Sequence, residues 1–371
     1  MDSEIKNAAQ YHYDKFPPQV TDYTPFINEL LAATEAISRF DQMLKNLHNN
    51  EILLAPLRNQ EALLSSRMEG TISTMDEILE FEANHSDILS TETRSDVIEI
   101  LLYQRTLKNA QGAIEDGYVF SSGFIKQIHQ QLLSAGRGAK KTPGQFKTEQ
   151  NYLADRYKKE ILFVPIRPEK LQEGIDNLME FLKESTLPDL IKTALMHLEF
   201  EALHPFQDGN GRIGRMLITL NLWISGLISQ PHFYISGYFE EHKEEYIQTM
   251  RNVSAKGEWN SWIKFFLVAV KHQAERNLEV AEQIRGLYEK TKTEFSDLLS
   301  SKWNIEILDY IFTYPVFRNN KLVKQTGIPN ATAVGMVKKL VENNYLKIRE
   351  EASGRRAGLY SFEPLMELVR V

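Results

Sequence analysis

Apolar residues recur at helical spacing along most of the chain and lay out a succession of amphipathic helices. The first predicted helix runs from Phe26 to Leu47. The next begins at Leu57, carries Ala62, Leu63 and Leu64 on its apolar side, and ends with Gly70 at the C′ position that stops helices. Residues 76–120 give one or two more, through Ile78-Leu79, Ile88-Leu89 and the stretch Val97–Leu107. Ser121-Ser122 then cap a helix over Gly123–Leu133 whose face is Phe124, Ile125, Ile128 and Leu132. Leu171–Leu182, Pro188–Leu203, Met216–Trp223, Glu240–Arg251 and Trp259–Leu287 continue the series. Strand-like alternation is scarce. Tyr152-Leu153 and Ile161–Val164 are its best instances before the C-terminal region, and together they predict a hairpin. The class is mainly α.

Lys290–Ser301 is polar and reads as a join to a last unit. There the pattern gives helices over Trp303–Phe312, Lys321–Gln325 and, capped by Asn330, up to Val341. Two strands follow, Tyr345–Arg349 and Leu359–Phe362, so residues 302–371 resemble a winged helix-turn-helix. The chain thus divides into a helical region at 1–110, a central domain at 111–290 and the C-terminal unit at 302–371.

Composition adjusts this picture in three ways. The chain has 371 residues, a net charge of −7 and no cysteine, which excludes disulfides, a Cys-based zinc site and a thiol nucleophile. Residues 302–371 hold 11 Lys and Arg against 7 Asp and Glu, about +4, leaving about −11 elsewhere. That asymmetry, with Arg355 and Arg356 on the wing, fits nucleic-acid phosphates. The helix opening Asn330-Ala331-Thr332-Ala333-Val334-Gly335 offers few base-reading side chains, so protein docking stays open beside DNA. Finally, no signal peptide and no membrane-spanning apolar run is seen, which predicts a soluble, cytoplasmic protein without membrane contact.

The candidate chemistry lies in His204-Pro205-Phe206-Gln207-Asp208-Gly209-Asn210-Gly211-Arg212-Ile213-Gly214-Arg215, a polar loop between two apolar helices. His204 precedes a proline, so the first helix stops there. Its imidazole, near its ordinary pKa, suits proton removal from a hydroxyl. Gly209-Asn210-Gly211 lets successive N–H groups converge, and they lead into a helix N-terminus that favours an anion. Arg212 and Arg215 share a helix face and can clamp phosphate oxygens. Asp208 is a natural Mg²⁺ ligand beside phosphates. Base, metal acid and phosphate cradle together describe nucleotide transfer to a hydroxyl. Gly136–Thr142 lacks P-loop spacing and reads as a solvated basic loop, and His197 as a core residue rather than a metal ligand.

This stretch matches the motif HPFx[D/E]GN[G/K]RxxR at every specified position, and by it the chain resembles the Fic (Fido) family over roughly residues 55–290. The resemblance implies a protein adenylyltransferase using ATP and Mg²⁺. It makes His204 the catalytic base and Asp208 the Mg²⁺ ligand. Asn210 with the Gly209 and Gly211 backbone would cradle the phosphates, Arg212 would contact them, and Arg215 would take the γ-phosphate. Ile213 and Gly214 complete the ATP-binding stretch, Phe206 anchors the loop, and Tyr246 would join the base pocket. Ser65-x-x-x-Glu69-Gly70 matches the family's inhibitory motif [S/T]xxxE[G/N], which implies an inhibitory helix at about 57–70 whose Glu69 pairs with Arg215 and lies within the ATP site. The hairpin at 145–165 resembles the family's flap, on which a target backbone adds as a strand beside the base. Self-modification and a homodimer stay open. So do two other readings: a DNA-binding regulator whose Fic-like domain senses nucleotide, and an enzyme that transfers another phosphate-containing group or removes AMP.

Overall fold

The computed structural model describes residues 8–45, 51–84, 95–155, 160–354 and 356–370. A short strand β1 (Ala9–Gln10) precedes α1 (Ile27–Lys45), α2 (Glu51–Met68), α3 (Met75–Asn84), α4 (Ser95–Glu115) and α5 (Ser122–Leu132). Then come β2 (Leu153–Asp155), β3 (Glu160–Val164), α6 (Pro168–Glu184), α7 (Asp189–Leu203), α8 (Asn210–Ile224), α9 (Ser236–Glu241), α10 (Lys243–Lys256) and α11 (Trp259–Leu299). The C-terminal unit is α12 (Asn304–Thr313), β4 (Val316–Arg318), α13 (Asn319–Thr326), α14 (Asn330–Glu342), β5 (Lys347–Glu350), β6 (Leu359–Ser361) and α15 (Glu363–Val369).

The mainly helical class holds. The core is centred on α7 and α8, where Ala194, Leu195, Met196, Met216, Leu217 and Ile218 are all fully buried. Those two helices are apolar nearly all round because other helices cover every face. α5 is capped by Ser121, whose side chain accepts from Phe124 N.

Three expectations about helix extent are corrected. α2 begins at Glu51 rather than Leu57, with Pro56 inside it. Burial of Ile52, Leu53 and Leu54 offsets the backbone bond a proline forfeits. α11 runs unbroken to Leu299, so Lys290–Ser301 is not a polar join. Its buried Ala281, Ile284, Thr291, Phe295 and Leu299 form a narrow helical stripe, which average polarity hides. Asn330 is the first residue of α14, not its cap; Pro329 holds that place.

The expected hairpin is present, with β2 antiparallel to β3. It has a third strand, β1, which pairs parallel with β3 through Ala9 opposite Phe163. In the C-terminal unit the sheet order is β4-β6-β5, so the expected hairpin likewise gains a strand. This unit packs tightly on the N-terminal helices. Arg349 pairs with Asp76 at 2.6 Å and Glu80 at 2.9 Å, and Arg370 pairs with Asp76 at 2.9 Å. Ile88-Leu89 and Arg355 lie outside the described residues. Among the described residues no helix is long and apolar enough to cross a membrane.

Candidate active site

α7 ends at His204, whose φ of 45° and ψ of 61° are left-handed. The following proline forbids the helical value, and the turn it imposes lifts the imidazole off the helix axis. Gly209, at φ 79°, is the N-cap of α8, a conformation that favours glycine. Between these two ends the loop is braced from beneath. Phe206 is fully buried and stacks on His129 with centroids 3.7 Å apart. His129 Nδ1 accepts from Gly144 N at 2.8 Å, so Nε2 carries the proton and donates to the Asp208 carbonyl at 2.9 Å. Lys147 Nζ donates to the Leu203 carbonyl at 3.0 Å and to Asn151 Oδ1 at 2.7 Å. Asn151 in turn donates to the carbonyls of His204 and Phe206. Sequence reasoning missed His129, Lys147 and Asn151, because their role is visible only once distant segments meet.

One expected role changes. The Asn210 side chain accepts from Phe206 N and donates to the Phe206 carbonyl, both at 2.8 Å. Its amide therefore ties the loop to itself instead of reaching into the cleft, which leaves any anion to the backbone N–H groups of the first turn.

Asp208 is half-exposed, and its Oδ1 accepts from Gly209 N at 2.6 Å and from Arg212 at 3.5 Å. That arrangement leaves Oδ2 for a cation, and one carboxylate beside phosphate oxygens suits Mg²⁺. Arg212 is buried and also donates to Glu99 at 3.2 Å. Glu99 binds Arg137 too, at 2.8 and 3.1 Å. The loop at 136–142 is thus pinned at Arg137 rather than fully solvated, contrary to its polar appearance. Arg215 is buried, its Nε donating to Ser65 Oγ at 2.9 Å and its Nη2 to the Ser65 carbonyl and Glu69 Oε1, both at 2.8 Å.

Glu69 reaches that position through the end of its own helix. Gly70 has φ +89°, Gly70 N donates to the Arg67 carbonyl and Thr71 N to the Ser66 carbonyl. This pair of bonds is a Schellman motif with Glu69 as C-cap. Lys243 satisfies the nearby Met68 carbonyl at 2.6 Å. Farther up α2, buried Glu61 accepts from Ser236 N at 3.0 Å and from Tyr103 at 3.0 Å, which fixes the helix against the core. The Glu69 carboxylate ends on the first turn of α8: a Cβ added to Gly211 would stand 2.2 Å from its Oε1. Burial works against the charge of Glu69, but Arg215 outweighs it and holds the carboxyl below its usual range. An anion therefore already occupies the positive end of this helix.

The titrating groups depart from the sequence expectation. Burial, aided by Lys147, pushes His204 down to about 4 rather than leaving it near its ordinary value. The imidazole is neutral at pH 7, as a base must be. Glu201, on the last turn of α7, has its Oε2 4.0 Å from His204 Nδ1, and burial pushes it up to about 8. Its Oε1 lacks a partner among the described residues and fits only because residue 214 is glycine, where an added Cβ would collide with it. Tyr246 is buried behind Arg215 and bonds His197 at 2.8 Å, so it lies in the core, not in an open base pocket. An apolar slot of about 170 Å³ instead opens under the hairpin between Phe163, Leu198, Ile247 and Met250, with Glu201 on its wall.

These buried imidazoles carry a stability consequence. His129, His197, His204 and His232 are held between about 3 and about 4 by burial. Unfolded, they would titrate near 6.5, so between about pH 6.5 and pH 4 the unfolded chain binds more protons and stability falls with pH. Glu201 at about 8, Glu82 at about 7 and Glu61, which burial also raises, act oppositely above about pH 4.5. Four against three leaves a net of about one proton, or at most ~1.4 kcal/mol per pH unit. Tm is expected to drop when the pH is taken from 6.5 to 5; a Tm that holds level or rises would show that the imidazoles are not buried neutral.

Residues 119–222 match the profile described as Fic/DOC family, and residues 27–112 match that of the Fic/DOC family N-terminal region. The chain carries a Fic/DOC domain. Protein adenylyltransferase fic-1 of Caenorhabditis elegans is 29% identical over 105 residues, 28% of this chain and 19% of that protein. A probable protein adenylyltransferase of Aquifex aeolicus is 31% identical over 90 residues, 24% of this chain and 26% of that protein. The chain thus spans about a fifth to a quarter of the length of these relatives. A Fic family protein from Desulfovibrio desulfuricans G20 shares the fold over 94% of this chain and 98% of its own, with TM-score 0.58 at 16% identity. Fic-1 from C. elegans does so over 68% and 72%, with TM-score 0.54 at 16% identity.

Proposed function

We propose that this Fic/DOC protein is a protein adenylyltransferase, moving AMP from ATP to a Ser, Thr or Tyr hydroxyl of a target protein, with Glu69 as its brake. The observation that carries the reading is convergence: a neutral imidazole, a half-exposed carboxylate and two buried arginines meet at one helix N-terminus. The triphosphate would lie on the first turn of α8, with Arg212 and Arg215 as its side-chain partners and the backbone from Gly209 to Gly211 beneath it. The base would enter the apolar slot beneath the hairpin. His204 Nδ1 is buried, so Nε2 is the nitrogen offered to the hydroxyl. The O–H bond breaks as the proton moves to Nε2, the oxygen bonds to the α-phosphorus, and pyrophosphate leaves. Asp208 is the residue to hold Mg²⁺, whose charge would offset that of the phosphates. A target strand would pair along the free edge of β2 and bring its hydroxyl toward His204.

ATP labelled at the α-phosphate tests the reaction type. Label on protein is expected from α-labelled but not γ-labelled ATP; the reverse pattern would make the enzyme a kinase and sink the proposal.

The brake depends on Gly70 as much as on Glu69. Gly70→Ala forces a side chain into a left-handed backbone and should destabilise the protein by about 1–2 kcal/mol. It should also raise transfer part-way toward the level of Glu69→Gly, because the C-cap no longer holds the carboxylate. Destabilisation with unchanged activity would show that the Schellman turn does not place Glu69.

The arginines of the C-terminal unit bear on the DNA-binding alternative. Arg318 bonds Glu350, Arg356 pairs with Glu350 at 2.9 Å, and Arg349 and Arg370 pair with Asp76 and Glu363. We read 302–371 as a winged-helix unit in which Arg349 and Arg370 serve docking onto the N-terminal helices, while Arg356 pairs within the unit.

A further inference from the structure

A cavity of about 680 Å³, lined by none of the residues of the catalytic loop, lies where α2, α3 and α4 meet the C-terminal unit. Four cations from three helices line it: Arg58 of α2, Arg105 and Lys108 of α4, and Lys321 of α13. Arg58 pairs with Glu51 at 3.1 Å, and Lys321 donates to the Glu82 carbonyl at 2.5 Å. Arg105 and Lys108 make no ion pair within 4 Å among the described residues, although Lys108 stands near enough to Glu51 to help Arg58 hold its carboxyl down. Glu82 is the one acid among the described residues on the wall, and burial pushes it up to about 7, so near neutrality it is charged only part of the time. The remaining wall is apolar and aromatic. Phe81 and Phe317 are buried, and the rings of Tyr310 and Tyr314 lie 5.1 Å apart.

Like charges gathered around a cavity repel one another, and an anion among them relieves that repulsion. Guanidinium and ammonium groups at the rim select phosphate, and an aromatic wall takes a flat ring. A volume of about 680 Å³ falls within the range of small-molecule sites. We infer that this cavity is a second ligand site, taking a phosphorylated small molecule of nucleotide size that carries an aromatic ring. Arg58 stands two turns before Ser65 on α2, so such a ligand would touch the helix that ends in Glu69.

Calorimetric titration of the full chain with GMP, guanosine and inorganic pyrophosphate tests the assignment. GMP is expected to bind saturably, guanosine not at all, and pyrophosphate more weakly than GMP. Arg105 and Lys108 are exposed, so Arg105→Glu with Lys108→Glu should leave the fold intact while weakening GMP at least about tenfold. The single Arg105→Ala should weaken it in the same sense, and Arg212→Ala, in the catalytic loop, should not change it. Absence of saturable GMP binding, equal binding by the cavity variants, or loss of binding in Arg212→Ala would each overturn the proposal.

Discussion

Glu69→Gly is expected to raise AMP transfer about tenfold, and by no more than about 150-fold, because a charge-assisted hydrogen bond contributes roughly 1.5–3 kcal/mol. The lower figure is favoured, since the Glu69 side chain is 37% exposed and water competes for it. Two effects act together. The carboxylate blocks the first turn of α8, where a phosphate would lie, and it engages the Arg215 Nη2 that would otherwise face that phosphate. Removing it frees both. Arg215 keeps its two bonds to Ser65, so the guanidinium stays in place for ATP. Incorporation of α-labelled AMP, including onto the protein itself, measures the change. Equal incorporation by wild type and variant would show that the contact is structural and not a brake.

His204→Ala is expected to lower transfer about a hundred- to ten-thousand-fold, the usual range for losing a positioned general base. The variant should be made in the Glu69→Gly background, where there is activity to lose. ATP affinity in that background should change little, because the phosphate partners of the site are Arg212, Arg215 and the α8 backbone. A drop in kcat with KM nearly unchanged would assign His204 to the chemical step. Equal loss in ATP affinity would mean that the imidazole supports the loop rather than taking the proton.

The motif loop was legible because its chemistry is contiguous: twelve residues carry base, acid, glycines and arginines in order. Glu69 was legible only through the resemblance of Ser65-x-x-x-Glu69-Gly70 to the family's inhibitory motif, since an acid at a helix end is by itself an ordinary solvated side chain. What surrounds them was not. His129, Lys147 and Glu99 approach the loop from other elements, and a histidine or lysine alone in a helix or loop carries no mark of a distant partner. The depressed pKa of His204 likewise comes from burial and from Lys147, which no local window contains. The end of α11 was misread because its buried stripe is one residue wide amid charged neighbours. β1 and β4 are two and three residues long, too short for alternation to register.

Intact-mass spectrometry of Glu69→Gly incubated with Mg²⁺ and ATP tests the central claim most directly. The expected result is protein heavier by the mass of one or more AMP groups, with none added in the Glu69→Gly, His204→Ala double variant. An unmodified Glu69→Gly chain that transfers no AMP to any protein in a cell lysate would contradict it.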